Sequence, residues 1–292
     1  MDRSRITALI TGASSGIGRA IALRLAERGA EIALVARRGE LLEQAAAEVR
    51  ERGGTPLPII CDVTIRTEME MAVEETIARF GRLDVLINNA GRGHFALIED
   101  TPEEQIENIF RVNVFSLWYA TAPAIRQMRR QGSGHVINIS SLAGKIGYPA
   151  NGAYVAAKHA VVGFTRALRA ELAGSGIAAT VVIPSGVLTE WAEVTEGGAM
   201  MEIFGYEAER GGEMAREMGV EPLPGLPLLQ ADDVAIAIDG IIGLGVPELY
   251  THPGSREIVE MYERDQPGTE RRLEPFWLAN REGYLKLRNT GG

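Results

Sequence analysis

The sequence contains a single cysteine, Cys61, among 292 residues. An intrachain disulfide is therefore impossible, and thiolates cannot form a metal cluster. The four histidines, His94, His135, His159 and His252, also lack the short spacing that metal ligands show. We therefore expect no metal site, and we expect these histidines in loops or on the surface.

Two further classes of protein are disfavoured by what the sequence lacks. No segment approaches the ~20 apolar residues of a membrane span, and the charged residues 1–5 leave no apolar signal region. The formal net charge is -9 at pH 7, and no basic cluster alternates with aromatic residues. We therefore expect a cytoplasmic protein with neither a membrane nor a nucleic acid as its partner.

Short apolar segments alternate with amphipathic segments along the whole chain, without a Pro/Ser-rich linker between them. This pattern predicts an α/β fold in one domain, residues 1–292, with a doubly wound, seven-stranded parallel sheet flanked by helices. The predicted strands cover residues 6–10, 31–36, 57–61, 83–87, 134–140, 177–183 and 248–251.

A glycine-rich turn, residues 12–18, follows the first predicted strand and precedes an amphipathic segment, residues 20–27. In such a turn the glycines allow a tight bend, a close approach of backbone to a pyrophosphate, and close packing of helix on strand. The turn amides and the positive helix end then face the phosphates. An ordinary tight loop is the alternative, but the position after the first strand favours a dinucleotide. The residues assigned to this contact are Gly12, Ser14, Ser15, Gly16, Ile17 and Gly18.

Tyr154 and Lys158 stand four residues apart in a helical pattern, so both side chains project from one helix face. A neighbouring ammonium group stabilises a phenolate and lowers the tyrosine pKa from its usual value near ~10. The pair could then transfer a proton near neutral pH. An exposed helix face with a buried tyrosine is the alternative interpretation, and the remaining motifs decide between the two.

The segment Asn88-Asn89-Ala90-Gly91, Asn113, Ser141 and the Tyr-x-x-x-Lys pair follow the glycine turn in an order that resembles the short-chain dehydrogenase/reductase family. The resemblance runs from about residue 6 to residue 190 and, more loosely, from 230 to 250. It implies a Rossmann-type fold and an oxidoreductase that moves a hydride between a nicotinamide cofactor and a small-molecule ketone or secondary alcohol. It also implies a homodimer or a homotetramer.

The resemblance assigns four catalytic residues. Tyr154 would supply or remove the proton of the substrate oxygen, and Ser141 would donate a hydrogen bond to that oxygen. Lys158 would bind the nicotinamide ribose, and Asn113 would bend its helix and hold a water for proton relay. Ser140 competes with Ser141, but the spacing of thirteen residues before Tyr154 favours Ser141.

The resemblance also assigns cofactor contacts at the ends of the predicted strands. Asp62 would accept a hydrogen bond from the adenine amine, although it could instead cap the following helix. Thr189 would hold the nicotinamide carboxamide, in a loop where Ser185 replaces the family's usual glycine. Apart from the glycine turn and Arg37, the residues assigned to the cofactor are Asp62, Val63, Asn89, Ala90, Gly91, Tyr154, Lys158, Pro184, Val187 and Thr189.

The end of the second predicted strand indicates which dinucleotide binds. Ala36 stands where an acidic residue would bond the ribose hydroxyls and repel a phosphate, and Arg37 and Arg38 follow it. An arginine there can clamp a ribose phosphate through charge-assisted hydrogen bonds. We therefore expect NADP(H) rather than NAD(H), with Arg37 as the principal contact and Arg38 assisting. A solvated basic loop without a ligand is the alternative.

Residues 190–229 predict a mobile lid over a hydrophobic substrate pocket. Methionine and aromatic side chains make an adaptable apolar wall, and the glycine pairs 197–198 and 211–212 would act as hinges. A helical pair packed on the core is the alternative. The apolar lid residues are Trp191, Met200, Met201, Phe204, Tyr206, Met214 and Met218, and those expected on the opposite side are His94, Phe95, Leu142 and Tyr148.

The C-terminal extension, residues 254–292, contains paired arginines and an aromatic cluster. This composition is compatible with an intersubunit arm, with a cover on the pocket and with a surface helix. The sequence leaves these three alternatives open.

The sequence is compatible with three functions. The leading one is an NADP(H)-dependent carbonyl reductase, or an alcohol dehydrogenase in the reverse direction, for an apolar ketone or secondary alcohol. The second is a 3-oxoacyl reductase of the fatty-acid type, which would need a basic patch for an acidic carrier, and the net acidity argues against it. The third is a regulator that senses NADP(H) without turnover. The joint presence of the four catalytic residues argues against this third function.

Overall fold

The computed structural model describes residues 6–191, 195–196 and 200–290. The strands are β1 (Thr7–Thr11), β2 (Glu31–Ala36), β3 (Thr55–Ile60), β4 (Val85–Asn88), β5 (Gly134–Ile139), β6 (Ile177–Ile183), β7 (Val187–Leu188), β8 (Leu229–Gln230) and β9 (Glu248–Tyr250). A seven-stranded sheet has the order β3-β2-β1-β4-β5-β6-β9, with every neighbouring pair parallel. The predicted seven-stranded parallel sheet is therefore confirmed, and no predicted strand bound differs from the observed one by more than two residues.

Helices cover both faces of this sheet. They are α1 (Gly16–Ala26), α2 (Gly39–Glu51), α3 (Arg66–Phe80), α4 (Glu103–Phe110), α5 (Ser116–Gln131), α6 (Gly152–Glu171), α7 (Met200–Glu217), α8 (Ala231–Ile241), α9 (Ser255–Arg264) and α10 (Gln266–Thr290). Successive side chains of a strand point to opposite faces. Ile10 of β1 accordingly packs with residues of α1, α2 and α8, whereas Leu9 packs with residues of α3, α5 and α6. Both faces are covered, which is why β1 is buried throughout its length.

The strand order places a crevice at one edge of the sheet. The chain runs outward from β1 through β2 to β3 and then returns to the other side of β1 as β4. The connections therefore diverge between β1 and β4, outside the carboxyl ends of these strands, and this is where open α/β sheets bind their ligands. The glycine turn between β1 and α1 opens into this crevice.

The segment between β7 and β8 lies outside the main sheet and is closed by a separate two-stranded sheet. Val187 pairs with Leu229 and Leu188 pairs with Gln230 in a short parallel ladder, which holds the two ends of the segment together. Within the segment, α7 packs along α10.

Of the glycines expected to act as lid hinges, the structure describes Gly211 and Gly212, and neither lies at a hinge. Gly211 and Gly212 lie in the interior of α7. A Cβ at Gly211 would lie 2.5 Å from Phe276 Cδ1, so this glycine lets α7 approach α10 closely. The pair Gly197-Gly198 and the side chains of Met200 and Met201 lie outside the described residues.

The prediction that the histidines lie in loops or on the surface is wrong for His135. His135 lies inside β5 and is fully buried, where its Nε2 is 2.8 Å from Thr180 Oγ1 and its Nδ1 accepts from the Gly243 N–H at 3.1 Å. Burial lowers the pKa of His135 to about 4, so it is a neutral core residue. Among the described residues, no three His, Cys, Asp or Glu side chains are grouped to hold a metal ion. The helices described here also include none with the length and apolarity to cross a membrane.

Candidate active site

A connected cavity of about 900 Å³ opens at the carboxyl ends of the sheet strands. It extends from the glycine turn and the ends of β2 and β3, past the ends of β4 and β5, to α7 and α10. Of the residues predicted to bind the cofactor, all but Gly18 line this cavity. The predicted catalytic residues Ser141, Tyr154 and Lys158 line it as well, whereas Asn113 does not.

The glycines of the turn are required by backbone geometry. Gly12 and Gly16 have φ angles of 66° and 53°, in the left-handed region that favours glycine. A Cβ at Gly18 would overlap the carbonyl oxygen of Gly12 and would lie 2.5 Å from Asn89 Nδ2, so glycine lets α1 pack closely here. Asn89 Nδ2 donates to the carbonyl of Thr11 at 3.0 Å and ties β4 to β1. Glycine at these positions therefore lets the turn, α1 and the end of β4 pack closely together.

The two arginines after β2 reach different partners. Arg38 donates to the hydroxyl of Ser15 at 2.5 Å and pairs with Glu190 at 3.3 Å. Arg37 pairs with Asp62 at 3.7 Å, between the ends of β2 and β3. Arg37 was predicted to be the principal phosphate contact and Arg38 to assist, whereas in the structure it is Arg38 that contacts the glycine turn. Both side chains line the cavity, so two guanidinium groups lie at its end near the glycine turn.

Local hydrogen bonds hold the Asp62 carboxylate at the cavity edge, next to Val63. Its Oδ1 accepts from the backbone N–H and the hydroxyl of Thr64 at 2.9 and 2.8 Å. Burial opposes ionisation, but the two Thr64 bonds and the Arg37 charge outweigh it and lower the pKa of Asp62. Helix α3 begins later, with Ile65 as its N-cap residue. Asp62 is thus an ionised acceptor facing the cavity rather than the cap of α3.

Tyr154, Lys158 and Ser141 stand together on the cavity wall. The first two project from one face of α6, with the Lys158 ammonium 5.5 Å from the centre of the Tyr154 ring. Lys158 Nζ also donates to the carbonyl of Ile139 at the end of β5, at 3.1 Å. The Trp191 ring packs beside Tyr154, with 5.3 Å between ring centres. The structure therefore brings the predicted catalytic pair and the predicted serine into one small volume.

The pKa of Tyr154 is shifted in the direction opposite to the one expected from the sequence. Burial raises the pKa of Tyr154 to about 12, and the nearby Ser141 hydroxyl opposes this shift without cancelling it. Burial lowers the pKa of Lys158 to about 8. Lys158 was expected to lower the pKa of Tyr154, but its ammonium bonds the Ile139 carbonyl instead of the phenol. Tyr154 is consequently protonated at neutral pH and can act as a proton donor.

The two neighbouring serines have different surroundings. Ser140 is buried, and its hydroxyl donates to the backbone carbonyl of Lys158 at 2.9 Å, which fastens β5 to α6. The Ser141 hydroxyl accepts from the N–H of Ala143 at 3.2 Å and lies close to Tyr154. An accepting hydroxyl keeps its own proton for another partner. The contacts therefore favour Ser141 over Ser140 as a donor to a bound oxygen.

Asn113 lies in a π-helical turn, Arg111–Phe115, between α4 and α5. Its Nδ2 donates to the carbonyl of Arg92 at 3.0 Å, which fixes the widened turn against the loop after β4. A Cβ at Gly91 would lie 2.9 Å from Asn113 Oδ1 and 3.4 Å from Lys158 Nζ. The distortion expected at Asn113 is thus observed, and Asn113 lies beside Lys158, behind the cavity wall.

A histidine not assigned from the sequence holds the loop after β6. His252 is 3% exposed, its Nδ1 accepts from the N–H of Ser185 at 3.2 Å, and its Nε2 donates to the carbonyl of Gly186 at 3.0 Å. These bonds fix the orientation of the imidazole ring. The same loop carries Thr189 to the glycine turn, where a Cβ at Gly16 would lie 3.3 Å from Thr189 Cγ2. The sequence could have indicated this role, because His252 comes just after β9 and parallel strands end at the same sheet edge.

Beyond Tyr154, Lys158 and Ser141, the cavity continues into a mostly apolar region. The predicted residues that line this part are Leu142, Tyr148, Trp191 and Phe204. His94 and Phe95 were expected there too, but both are fully buried and do not line the cavity. The predicted lid residues Tyr206, Met214 and Met218 do not line it either.

Two polar residues at the far end of the cavity were not predicted. Glu207 of α7 and Asn280 of α10 both line it, and Asn280 Nδ2 donates to Glu207 Oε2 at 2.6 Å. The sequence contained one weak signal for this pair, because asparagine inside a helix is unfavourable without a hydrogen-bonding reason.

Comparison with known proteins agrees with this geometry. A family model described as short chain dehydrogenase matches residues 6–197. The 3-oxoacyl-[acyl-carrier-protein] reductase FabG of Staphylococcus aureus is 37% identical over 185 residues, which are 63% of this chain and 75% of that protein.

Solved structures show the same fold. A short chain dehydrogenase/reductase from Burkholderia phymatum, in complex with NAD, aligns with a TM-score of 0.77 and 26% identity over 91% of this chain and 96% of that chain. An alcohol dehydrogenase from the archaeon Thermococcus sibiricus, complexed with 5-hydroxy-NADP, aligns with a TM-score of 0.70 and 27% identity over 85% of this chain and 96% of that chain. Similar proteins thus bind either dinucleotide.

Proposed function

The chain belongs to the short-chain dehydrogenase family, and we propose that it is an NADP(H)-dependent oxidoreductase that transfers a hydride between the nicotinamide and a ketone or secondary alcohol. One observation carries this proposal. A continuous cavity has the glycine turn at one end and an apolar pocket at the other, with Tyr154, Lys158 and Ser141 on its wall between them.

The residues present fit a nicotinamide dinucleotide. The glycine turn, with Gly12 and Gly16 at positive φ, lines the cavity where a pyrophosphate would lie at the start of α1. The ionised Asp62 offers an acceptor for the adenine amine. Thr189, in the loop held by His252, would bind the carboxamide, and Lys158 would bind the nicotinamide ribose.

The roles of the side chains follow from their protonation and contacts. When bound, NADP(H) would supply or accept the hydride. In the direction of reduction, Tyr154 donates its proton to the substrate oxygen, and Ser141 donates a hydrogen bond to the same oxygen as negative charge develops there. The Lys158 ammonium then stabilises the phenolate that remains. Trp191 covers one side of the Tyr154 ring and limits access of water to it.

The preference for NADP(H) rests on the adenosine end of the cavity. Ala36 ends β2 without a carboxylate, and the guanidinium groups of Arg37 and Arg38 line the cavity beside it. Ser15 adds a hydroxyl within bonding distance of Arg38. A ribose phosphate would compete with Asp62 and Glu190 for these cations and would gain charge-assisted bonds from both.

An NADPH oxidation screen over ketones and aldehydes, repeated with NADH, tests the proposal. We expect turnover of at least one apolar ketone and a higher kcat/KM for NADPH. A higher kcat/KM for NADH would contradict the cofactor preference alone. Binding of NADPH without turnover of any carbonyl compound would contradict the catalytic function and favour a cofactor-sensing regulator.

A second function, reduction of 3-oxoacyl groups, has one observation in its favour, the 37% identity to a 3-oxoacyl-[acyl-carrier-protein] reductase. The net charge of -9 gives little attraction for an acidic carrier protein. Including a 3-oxoacyl thioester in the screen compares the two functions directly. A kcat/KM for the thioester well above that of every simple ketone would favour the second function.

The organisation of the chain is proposed on the same basis. Residues 1–292 would form one catalytic domain, with residues 190–229 as a lid over the substrate and residues 254–292 as an extension that helps to cover it. We also propose a cytoplasmic homodimer or homotetramer. Two exposed apolar side chains, Phe115 in the π-helical turn and Trp118 on α5, support association between subunits. Light scattering on the purified protein tests its oligomeric state, and a monomer would contradict it.

A further inference from the structure

Building on the oxidoreductase function proposed above, we infer that the far end of the cavity recognises a hydroxyl group of the substrate, remote from the reacting carbon, through Glu207 and Asn280. The substrates would be hydroxy ketones and the matching diols, with an apolar segment between the two oxygen-bearing ends. No residue of the catalytic or cofactor-binding set takes part in this recognition.

Asn280 is a buried polar residue with an unused acceptor. It is 3% exposed, it lines the cavity, and its Nδ2 is bound to Glu207. Its Oδ1 is buried and has no hydrogen-bond partner in the part of the chain that the structure describes. A buried acceptor left unsatisfied has a desolvation cost that no bond offsets. A ligand that brings a donor to this corner would remove that cost.

Glu207 provides a second acceptor next to the first. A carboxyl group has about four lone-pair sites, and the bond from Asn280 occupies a site on Oε2. Burial raises the pKa of Glu207, and the Asn280 bond opposes this shift. Asn280 therefore orients the carboxyl group, while capacity remains for another donor. Two acceptors from two different helices meet at this end of the cavity.

A hydroxyl group suits these surroundings better than an ammonium group. Trp191, Phe204 and Leu228 add apolar surface to the cavity lining. Asn280 is buried, so an ammonium ion bound against it would lose hydration. Tyr148 lines the same cavity, and burial together with the Glu207 charge raises the pKa of its hydroxyl, which therefore stays a proton donor. A substrate hydroxyl can donate to Glu207 or Asn280 and accept from Tyr148. An ammonium group has no lone pair for Tyr148.

Matched substrates test this inference. We would measure kcat/KM with NADPH for a graded series of linear methyl ketones and their ω-hydroxy analogues. We expect a chain length at which the hydroxy ketone is preferred by about tenfold or more. In Glu207→Leu and Asn280→Leu this preference should fall to near unity, while kcat/KM for the plain ketone changes by less than about threefold.

Two further variants keep the test informative if the leucine variants fold poorly. Glu207→Gln retains an acceptor for Asn280 and for a hydroxyl, so most of the hydroxyl preference should persist. Glu209→Leu changes an exposed residue of the same helix and should leave the preference intact.

Isothermal titration of the diol and of the matching mono-alcohol into the Tyr154→Phe protein with NADP⁺ gives a readout without turnover. We expect tighter binding of the diol.

The outcomes separate this inference from the function it rests on. Equal kcat/KM for both members of each pair would overturn hydroxyl recognition and leave the oxidoreductase function standing. A preference for an ω-amino ketone that disappears in Glu207→Gln would overturn it in favour of cation recognition. If neither member of any pair is reduced with NADPH or NADH, both proposals are wrong.

Discussion

The two ends of the cavity are built in different ways. At the end proposed to bind the cofactor, here the cofactor end, the glycine turn forms part of the surface, and Gly12 and Gly16 adopt positive φ angles within a few residues of each other. At the substrate end, side chains form the surface, and its polar corner joins Glu207 and Asn280, which are 73 residues apart in sequence. Short local motifs thus specify the cofactor end, while packing between α7 and α10 specifies the substrate end.

The largest expected effect lies where the two ends meet. Tyr154→Phe removes the hydroxyl but keeps the ring that packs on Trp191. We expect kcat to fall by about 10²–10⁴, with the NADPH dissociation constant unchanged within about threefold. Tyr119→Phe, whose ring contacts Arg66 away from the cavity, serves as the control. Retention of wild-type kcat in Tyr154→Phe would rule out the proposed proton transfer.

The cofactor end can be altered without touching the substrate end. The double change Arg37→Ala and Arg38→Ala should weaken NADPH binding by about 100-fold, since two charge-assisted contacts to a phosphate are lost. NADH binding should change by less than about threefold. Fluorescence titration of both dinucleotides measures this difference, and an equal loss for the two would remove the basis for NADP(H) preference.

A backbone contact at the cofactor end should tolerate little change. Gly18→Ala would force a Cβ against Gly12 and Asn89, and we expect a loss of about 2 kcal/mol in unfolding free energy. Gly163→Ala is a matched control, because a Cβ at this helical position meets nothing within 4 Å. Chemical denaturation measures both variants. Equal stability of Gly18→Ala and Gly163→Ala would show that the turn is not closely packed.

The smallest expected effect concerns the buried charge of Lys158. Its pKa is lowered to about 8 in the folded protein from 10.5 in the unfolded chain, so the unfolded chain binds more protons between these values. The unfolding free energy of the wild type should therefore rise with pH across this window, whereas below pH 8 the full cost of burying the charge remains.

Lys158→Met removes this dependence. Near pH 7 the variant should be more stable than the wild type by about 1–2 kcal/mol, because the lost bond to Ile139 offsets part of the gain. The gap should narrow towards pH 9.5, roughly midway through the window. Parallel melting curves for the two proteins between about pH 7 and 9.5 measure it. A gap that stays constant with pH would mean that Lys158 has an ordinary pKa.

The residues expected at the cofactor end line one cavity, apart from Gly18, and there is a physical reason why the sequence could place them together. The β1 strand, the glycine turn and the Tyr154–Lys158 spacing are local patterns, and each constrains the backbone or a helix face by itself. The seven strands were found within two residues of their observed ends because buried strands are short, apolar and bounded by turns.

The substrate end was less predictable because it depends on long-range packing. Helix α10 contributes Asn280 to the cavity, and nothing in its own sequence shows which helix it will pack against. The direction of the Tyr154 pKa shift was also wrong from sequence, since it depends on burial and on the bond from Lys158 to Ile139. Gly211 is a further example, because its close contact with Phe276 exists only after α7 and α10 have packed.

The central claim, that one cavity joins a nicotinamide to a carbonyl substrate, is tested most directly by following the hydride. A ketone reduced by the enzyme in unlabelled water with NADPH deuterated on the transferred position of the nicotinamide should yield an alcohol with deuterium on its carbinol carbon, as read by mass spectrometry. Consumption of the labelled cofactor with no deuterium on that carbon would contradict the account.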